Sequence, residues 1–265
     1  MDANLYQLDG KVAKKIELPS LFSHDFRIDL VRRAILAEQS LRYQPQSHSL
    51  MAGLNTSALY VGEYGVYRAG RHTGQAIRPR QKLAGGGMGE VRRIPSAKKG
   101  RRAHPHKIEK ILIEKMNATE YRKALESAIA STSMGTLVKA KHIIKDQTLP
   151  IVVEDKIEHV ESTKDLMKIL EALGLSADLE KSHDPKLRSG LRRYAHRRKF
   201  RNSVLIVVKD KSKVERAGRN IPGVDVRSIS DLKVEYLVPG AQPRISVWSE
   251  GAVSGIQEAI KKAKL

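Results

Sequence analysis

Cysteine is absent from the 265 residues. That excludes disulfides, zinc ribbons, thiolate nucleophiles and cysteine-ligated iron-sulfur clusters, and with them several enzyme classes and RNA-binding modules. Aromatic residues are scarce: three Phe, one Trp and eight Tyr. This is thin for a protein that grips single strands mainly on aromatic platforms. Long apolar runs are missing as well. The best, Val204 to Val208, has strand length, against the roughly 18 apolar residues that span a bilayer. The opening Met1-Asp-Ala-Asn4 lacks a basic segment followed by an apolar signal core, so the expectation is a cytoplasmic protein with no membrane partner.

Acidic charge is the remaining deficit. Against 49 Lys and Arg stand 29 Asp and Glu, leaving +20 at neutral pH. Such a chain repels itself and attracts a dense polyanion, so nucleic acid is the first partner to consider. An anionic membrane surface is the rival, but polybasic membrane binding works beside an amphipathic helix or a lipid signal, and neither is evident. The 40% hydrophobic content suffices to bury a core in one domain with extensions.

Along the chain, Leu5 to Leu8, the turn Asp9-Gly10, and Val12 to Leu18 read as an N-terminal β-hairpin. Between Asp25 and Tyr43, Ile28, Val31, Ile35 and Leu36 recur at helical spacing, with Arg32, Arg33 and Glu38 on other faces. From Gln44 to His106 sustained periodicity is lost. It resumes at Ile108, Ile111 and Leu112, and Asn117-Ala-Thr-Glu120 has the form of a capping box opening a helix through Tyr121, Leu125 and Ile129. The second half alternates: strand Ile151 to Val153; a helix on Leu166, Ile169, Leu170 and Leu173, capped by Ser162 to Asp165 and ending near Gly174; then strand Val204 to Val208. Strands follow at Val224 to Arg227 and Arg244 to Trp248, with a closing helix on Val253, Ile256 and Ile260. Alternating strands and helices predict an α/β body with a mostly parallel sheet flanked by helices.

Two basic elements stand out. Nine of the 19 glycines lie between Gly62 and Gly100. From Arg68 to Lys107 twelve Lys or Arg face one acid, Glu90. Such a stretch has few apolar groups to offset the entropy of ordering its backbone, so it is not expected to fold alone. Glycine permits close backbone approach and spaced arginines pair bidentately with phosphate, which suits threading through folded RNA. Doubled back as a hairpin, it reaches at most about 100 Å. The candidate RNA ligands here are Arg68, Arg71, Arg78, Arg80, Lys82, Arg92, Arg93, Lys98, Lys99, Arg101, Arg102, His104 and Lys107. The second element, Lys186 to Arg201, carries eight basic residues and no acid. It enters the strand at Val204 from its amino end, away from the carboxyl-end sites typical of open α/β sheets. It therefore reads as an independent RNA contact, through Arg188, Arg192, Arg193, Arg197, Arg198, Lys199 and Arg201.

Other chemistry fares poorly. Gly85-Gly-Gly-Met-Gly89 neither ends in Gly-Lys-Ser/Thr nor lies between a clear strand and helix, so it is a weak phosphate cradle. His104 and His106 have no Cys or nearby carboxylate to complete a metal set. Asp25, Asp29 and Glu38 are explained by helix capping and a solvated face. Tyr67, Tyr194 and Phe200 are candidates for base stacking, with core packing or plain exposure equally consistent. No cofactor or metal is expected. Three classes remain: a structural RNA-binding protein, a Rossmann-like enzyme with basic insertions, and a DNA-compacting protein. The enzyme lacks a glycine fingerprint after a strand. Charge alone does not separate DNA from RNA, but duplex DNA offers no deep interior to thread.

Arg78-Pro-Arg-Gln-Lys82, Gly85-Gly-Gly-Met-Gly89 and above all Lys99-Gly-Arg-Arg-Ala-His-Pro-His106 resemble the extended loop of the large-subunit ribosomal protein L-four family, archaeal and eukaryotic branch. Tyr6-Gln-Leu-Asp-Gly10, Arg27-Ile-Asp-Leu-Val-Arg-Arg33, Asn220-Ile-Pro-Gly-Val-Asp225 and Pro239 to Gly251 resemble its hairpin, first helix and C-terminal strands, in order. The resemblance implies a Rossmann-like body formed by residues 1–43 and 107–265 and a long extended internal loop at 44–106. It also implies a non-catalytic constituent of the large subunit that binds ribosomal RNA early in assembly. The loop tip, somewhere between Tyr64 and Gly89, would reach the wall of the nascent-peptide exit tunnel beside a protein of the L-twenty-two family, with Arg92 to Lys107 held in RNA on the way.

Overall fold

The computed structural model describes residues 1–262 except Val61, Val66, 68–70, Thr73, Lys145, Asp146, 191–196 and Ser212. The chain forms two compact units, one of Met1–Arg42 with Ile113–Leu265 and one of Tyr43–Leu112.

The first unit is built on a six-stranded sheet. In chain order its strands are β1 (Asp2–Tyr6), β2 (Val12–Glu17), β6 (Ile151–Val153), β9 (Val204–Val208), β10 (Asp225–Ser228) and β11 (Ile245–Ser249). Across the sheet they lie β10-β9-β11-β6-β1-β2. All neighbours are parallel except β1 and β2, the opening hairpin, so the sheet is mostly parallel, as the alternating pattern predicts. The turn depends on Gly10, at φ +79°. A Cβ there would stand 2.4 Å from the Ala172 carbonyl oxygen, so this turn admits only glycine.

A parallel strand covered on both faces must be apolar throughout. Val204 to Val208 meets that demand: all five residues are buried. Leu205 and Val207 join Ala3, Leu5, Val152 and Trp248 on one face, whereas Val204, Ile206 and Val208 join Ile151, Val153 and Val247 on the other. The first face is covered by α1 (Ile28–Ser40), α2 (Ala118–Ser133) and the closing helix α8 (Glu250–Lys262). The second is covered by α4 (Thr163–Ala172), α5 (Ser176–His183) and α6 (Val214–Gly218). Two short helices, α3 (Gly135–Lys139) and α7 (Val234–Leu237), complete the unit. Trp248 is fully buried, edge-on to Phe22 with ring centroids 5.5 Å apart, and its indole N–H donates to Ser246 Oγ at 2.8 Å.

Several local expectations are corrected. In α1 the buried stripe is Val31, Ala34, Ile35, Ala37 and Glu38, while Ile28 and Leu36 are exposed. The helix packs on α2 and α7, and the face it turns to them carries Val31, Ala34, Ile35 and Ala37 in place of Ile28 and Leu36. Glu38, expected on a solvated face, is buried because its carboxylate collects three donors. The Tyr121 hydroxyl reaches it at 2.7 Å, and the backbone N–H groups of Val234 and Glu235 each reach it at 2.8 Å. Burial raises the Glu38 carboxyl above its ordinary range, with those bonds opposing the rise. The same site pushes the Tyr121 phenol up, through burial and the facing carboxylate. The apolar spacing at Ile108 and Ile111 marks no element, both being exposed in irregular backbone, whereas α2 opens at Ala118, directly after Asn117 as expected. Asn117 and Ser162 stand at the predicted helix starts, but neither side chain makes a capping bond. Glu120 is drawn instead to Arg33 Nη1, at 2.6 Å.

The second unit carries β3 (Ala58–Leu59), β4 (Arg80–Lys82) and β5 (Met88–Val91) in an antiparallel sheet, where no regular structure was expected. The glycine run makes this possible. Gly85 and Gly86, at φ +95° and +82°, turn the chain between β4 and β5. The Leu83 N–H then donates to the Gly87 carbonyl at 3.1 Å.

Replacing Glu38 by Ala strands the Tyr121, Val234 and Glu235 donors, and the expected loss is about 3 kcal/mol from unpaired buried groups. Urea unfolding followed by Trp248 fluorescence measures it; an unchanged midpoint contradicts this account of α1.

Candidate nucleic-acid interface

In the second unit the arginines divide into two kinds. Arg92 has a side chain only 13% exposed. Its guanidinium donates to the Lys98 carbonyl at 2.8 Å and to Glu90 Oε2 at 2.5 Å. Arg93, at φ +69°, donates to the Ala58 carbonyl at 3.3 Å. Arg92 thus braces two successive turns, Ala97 N–H to Ile94 and Gly100 N–H to Ala97, while Arg93 ties their start to β3. Gly100 is required there, since a Cβ would stand 1.9 Å from the Ile94 carbonyl oxygen.

The turns display the second kind. Lys98, Lys99, Arg101, Arg102, His104 and Lys107 are all exposed, and Lys99 adopts φ +57°. Arg78 is exposed and bonds Ser96 Oγ at 3.3 Å; Lys82 is exposed at the end of β4. Arg80 is half-buried and bonds the Ala76 carbonyl at 3.4 Å. Arg71 donates to the Gly62 carbonyl at 2.8 Å while its guanidinium lies 5.4 Å above the Tyr64 ring. Tyr67 is exposed. Displayed guanidinium groups suit bidentate phosphate pairing, whereas those of Arg92 and Arg93 are engaged in holding the turns. Arg68 lies outside the described residues, as do Arg192, Arg193 and Tyr194.

In the first unit the other basic element forms a hairpin, β7 (Lys186–Leu187) against β8 (Arg198–Lys199). The Arg188 N–H extends the ladder to the Arg197 carbonyl at 2.9 Å. Arg197, Arg198, Lys199, Phe200 and Arg201 are exposed and Arg188 is half-buried.

The hairpin ends at a cleft of about 660 Å³ at the amino ends of β9, β10 and β11. Its floor is Arg244, whose side chain is 1% exposed. The guanidinium donates to Ser203, Val204 and Gly223 carbonyls at 3.1, 2.7 and 2.9 Å and to Asp225 Oδ2 at 2.6 Å. Burial lowers the pKa of Arg244 and Asp225 opposes the shift; an arginine so bonded stays charged. Beside it, buried Asp178 accepts from His142 Nδ1 at 2.9 Å, from the Ile143 N–H at 3.0 Å and from the Ser203 hydroxyl. Burial alone would raise the Asp178 carboxyl, but the His142 and Ser203 bonds outweigh it and hold it below its ordinary 3.8. Ser203 and His142 both bond the aspartate and not each other, so the three do not form a serine–histidine–acid relay. Lys181 Nζ bonds the Lys141 carbonyl at 2.9 Å, and Lys141 Nζ the Pro239 carbonyl at 3.3 Å. The Lys141 ammonium is pushed down by burial and then by Arg244, with Lys199 adding to the effect and Asp178 opposing it.

Sequence reasoning missed Lys141, Lys181 and the floor role of Arg244. They are single cations on separate elements, and no run marks them. Among the described residues no three His, Asp or Glu gather as a metal set, and no helix is long and apolar enough to cross a membrane.

Comparison with known proteins decides the family. Residues 16–259 match the profile of the ribosomal protein L4/L1 family. The chain belongs to that family. It is 39% identical over 263 residues to large ribosomal subunit protein uL4 of Methanocaldococcus jannaschii, covering 97% of this chain and 99% of the relative. It is 40% identical over 261 residues to the proteins of the same name from Methanoculleus marisnigri and Archaeoglobus fulgidus, covering 97% of this chain and 99% of each relative. Membership makes the chain a ribosomal protein of archaeal type, not an enzyme. The resemblance drawn from the Lys99 to His106 motif and its companions is thereby upheld.

Because the Asp178 carboxyl is held low, its contribution to stability is present above pH 3.8 and is lost as the pH falls through its folded value. Asp178→Asn is therefore expected to cost about 2 kcal/mol at pH 7, with the gap to the parent closing below the ordinary carboxylate range. Urea midpoints from pH 7 to pH 3 check this; a gap that stays constant contradicts it.

Proposed function

We propose that the chain is a structural constituent of the large ribosomal subunit that binds large-subunit ribosomal RNA and supports early assembly. The observation that carries the reading is the exposed run from Lys98 to Lys107, held outward by Arg92 and Arg93, in a chain of net charge +20. The relatives' name supplies the ribosome. Charge supplies the polyanion, and exposed guanidinium groups on a glycine-rich backbone supply the means of lodging between phosphates.

In this reading residues 1–43 and 107–265 form the body. We regard that body as Rossmann-like in its layering, on the strength of its adjacent parallel strands and its helices on both faces. Residues 44–106 act as an extended insertion among RNA helices. Its outer part, between Tyr64 and Gly89, reaches the exit-tunnel wall, next to the L-twenty-two family protein and the nascent peptide. Arg78, Arg80, Lys82, Lys98, Lys99, Arg101, Arg102, His104 and Lys107 contact RNA there, together with Arg68 and Arg71. On the body the ligands are Arg188, Arg192, Arg193, Arg197, Arg198, Lys199 and Arg201. Arg92 and Arg93 serve the same interface by shaping the turns. No catalysis is involved.

At one fixed salt concentration the protein is expected to bind a folded large-subunit RNA fragment more tightly than duplex DNA of equal length; equal affinities would falsify the reading. Arg101→Ala with Arg102→Ala should flatten the plot of log K against log salt by about 1.4, at 0.7 per single-strand phosphate contact. An unchanged slope removes these two side chains from the interface. Deleting residues 60 to 90 should leave a cooperatively unfolding body that still binds RNA, as calorimetry and gel shift would report. Loss of cooperative unfolding would place the insertion in the core.

A further inference from the structure

We infer that the cleft at the amino ends of β9, β10 and β11 holds the phosphodiester backbone of an unpaired RNA strand, with Lys141 and Lys181 as phosphate ligands. The inference rests on the RNA-binding reading above and adds to the hairpin a site on the body in which Lys141 and Lys181, which no basic run contains, join Lys186, Lys199 and Arg201.

The charge balance of the cleft is lopsided. Three acids line it, and each is already engaged: Asp178 by His142, Ser203 and the Ile143 N–H, Asp225 by Arg244, and Glu235 by Arg42 and Gln39. Lys141, Lys181, Lys186, Lys199 and Arg201 also line it, and none of the five has an ion-pair partner among the described residues. Gathering like charges in a partly desolvated space is unfavourable; the Lys141 ammonium is pushed down first by burial and then by Arg244 and Lys199, with Asp178 opposing. An anion lodged among them relieves the repulsion. The arrangement is also fixed, because Arg244 ties three strand ends together and the lysines on α5 and after α3 bond backbone carbonyls. A rigid set of donors loses less entropy on binding than a mobile one.

A strand fits better than an isolated anion. The five cations run from the cleft onto the β7–β8 hairpin, a path rather than a point. A group suited to bases stands alongside: Phe200 is 43% exposed and offers a stacking face. Unpaired RNA is recognised by this combination of backbone charge and aromatic faces. An acidic peptide would use the charges alone.

The test uses the full chain and a large-subunit RNA fragment, comparing the parent, Lys141→Gln with Lys181→Gln, and Arg101→Ala with Arg102→Ala. Glutamine removes the charge while keeping an N–H donor on a side chain one bond shorter. The glutamine pair is expected to flatten the salt dependence by about 1.4, additively with the arginine pair. If its slope and affinity equal the parent's while the arginine pair loses both, the cleft assignment is wrong and the RNA-binding reading stands. If the parent itself does not prefer the RNA to duplex DNA, the reading fails and takes the cleft with it. Should the glutamine pair unfold, Lys186→Gln with Lys199→Gln on the exposed hairpin must give the same flattening, and an unchanged slope again overturns the assignment. Polyglutamate that displaces the RNA from the parent but not from the glutamine pair, at equal charge concentration, would assign the cleft to acidic peptide instead.

Discussion

Like-charge repulsion governs this molecule. A chain with 49 basic and 29 acidic residues must fold while its cations push one another apart. It does so by separating roles. The sheet is sealed on both faces by aliphatic side chains, so charge stays out of the core except where it is matched. Arg244 has Asp225 and three carbonyls; Arg92 has Glu90 and the Lys98 carbonyl. Each buried or half-buried cation thereby becomes a tie between backbone segments, and the unmatched remainder is pushed to the surface, where a polyanion can neutralise it.

The ties and the displayed charges depend on each other. Arg244 draws Ser203, Val204 and Gly223 to one point, which fixes the start of β9 relative to β10 and β11. That point is also the cleft floor, so the element that registers the sheet sets the electrostatics of the surface above it. In the second unit Arg92 does the equivalent by bracing the turns that lead to Lys98 to Lys107, and Arg93 ties their start to Ala58 of β3. In both units a few arginines lose their freedom so that the others are presented in fixed positions.

Much of this was legible in the sequence, for identifiable reasons. The run Val204 to Val208 announced a doubly covered parallel strand because nothing polar interrupts it. Asp9-Gly10 announced the hairpin turn, and the basic runs announced a polyanion. Glu38 was misread because a lone carboxylate on a helix gives no sign that Tyr121 and the start of α7 converge on it from far along the chain. Ile108 and Ile111 imitate helical spacing over too short a stretch to form a helix unaided. The hairpin side of the cleft was legible as the run Lys186 to Arg201, but Arg42, Lys141, Lys181 and Arg244 lie outside any run and meet it only through the topology. The ribosome itself was legible only through the ordered family motifs, since charge does not name its polyanion.

Threading makes a claim that simple surface attraction does not: a segment lodged among folded RNA helices is retained even when its phosphate contacts are screened. The most direct measurement is sedimentation of large subunits carrying the labelled chain through a high-salt cushion, with and without prior unfolding of the RNA by removal of magnesium. The account predicts that the chain stays with the subunit in high salt and leaves only when the RNA unfolds. Complete release by salt alone, with the RNA still folded, would contradict it.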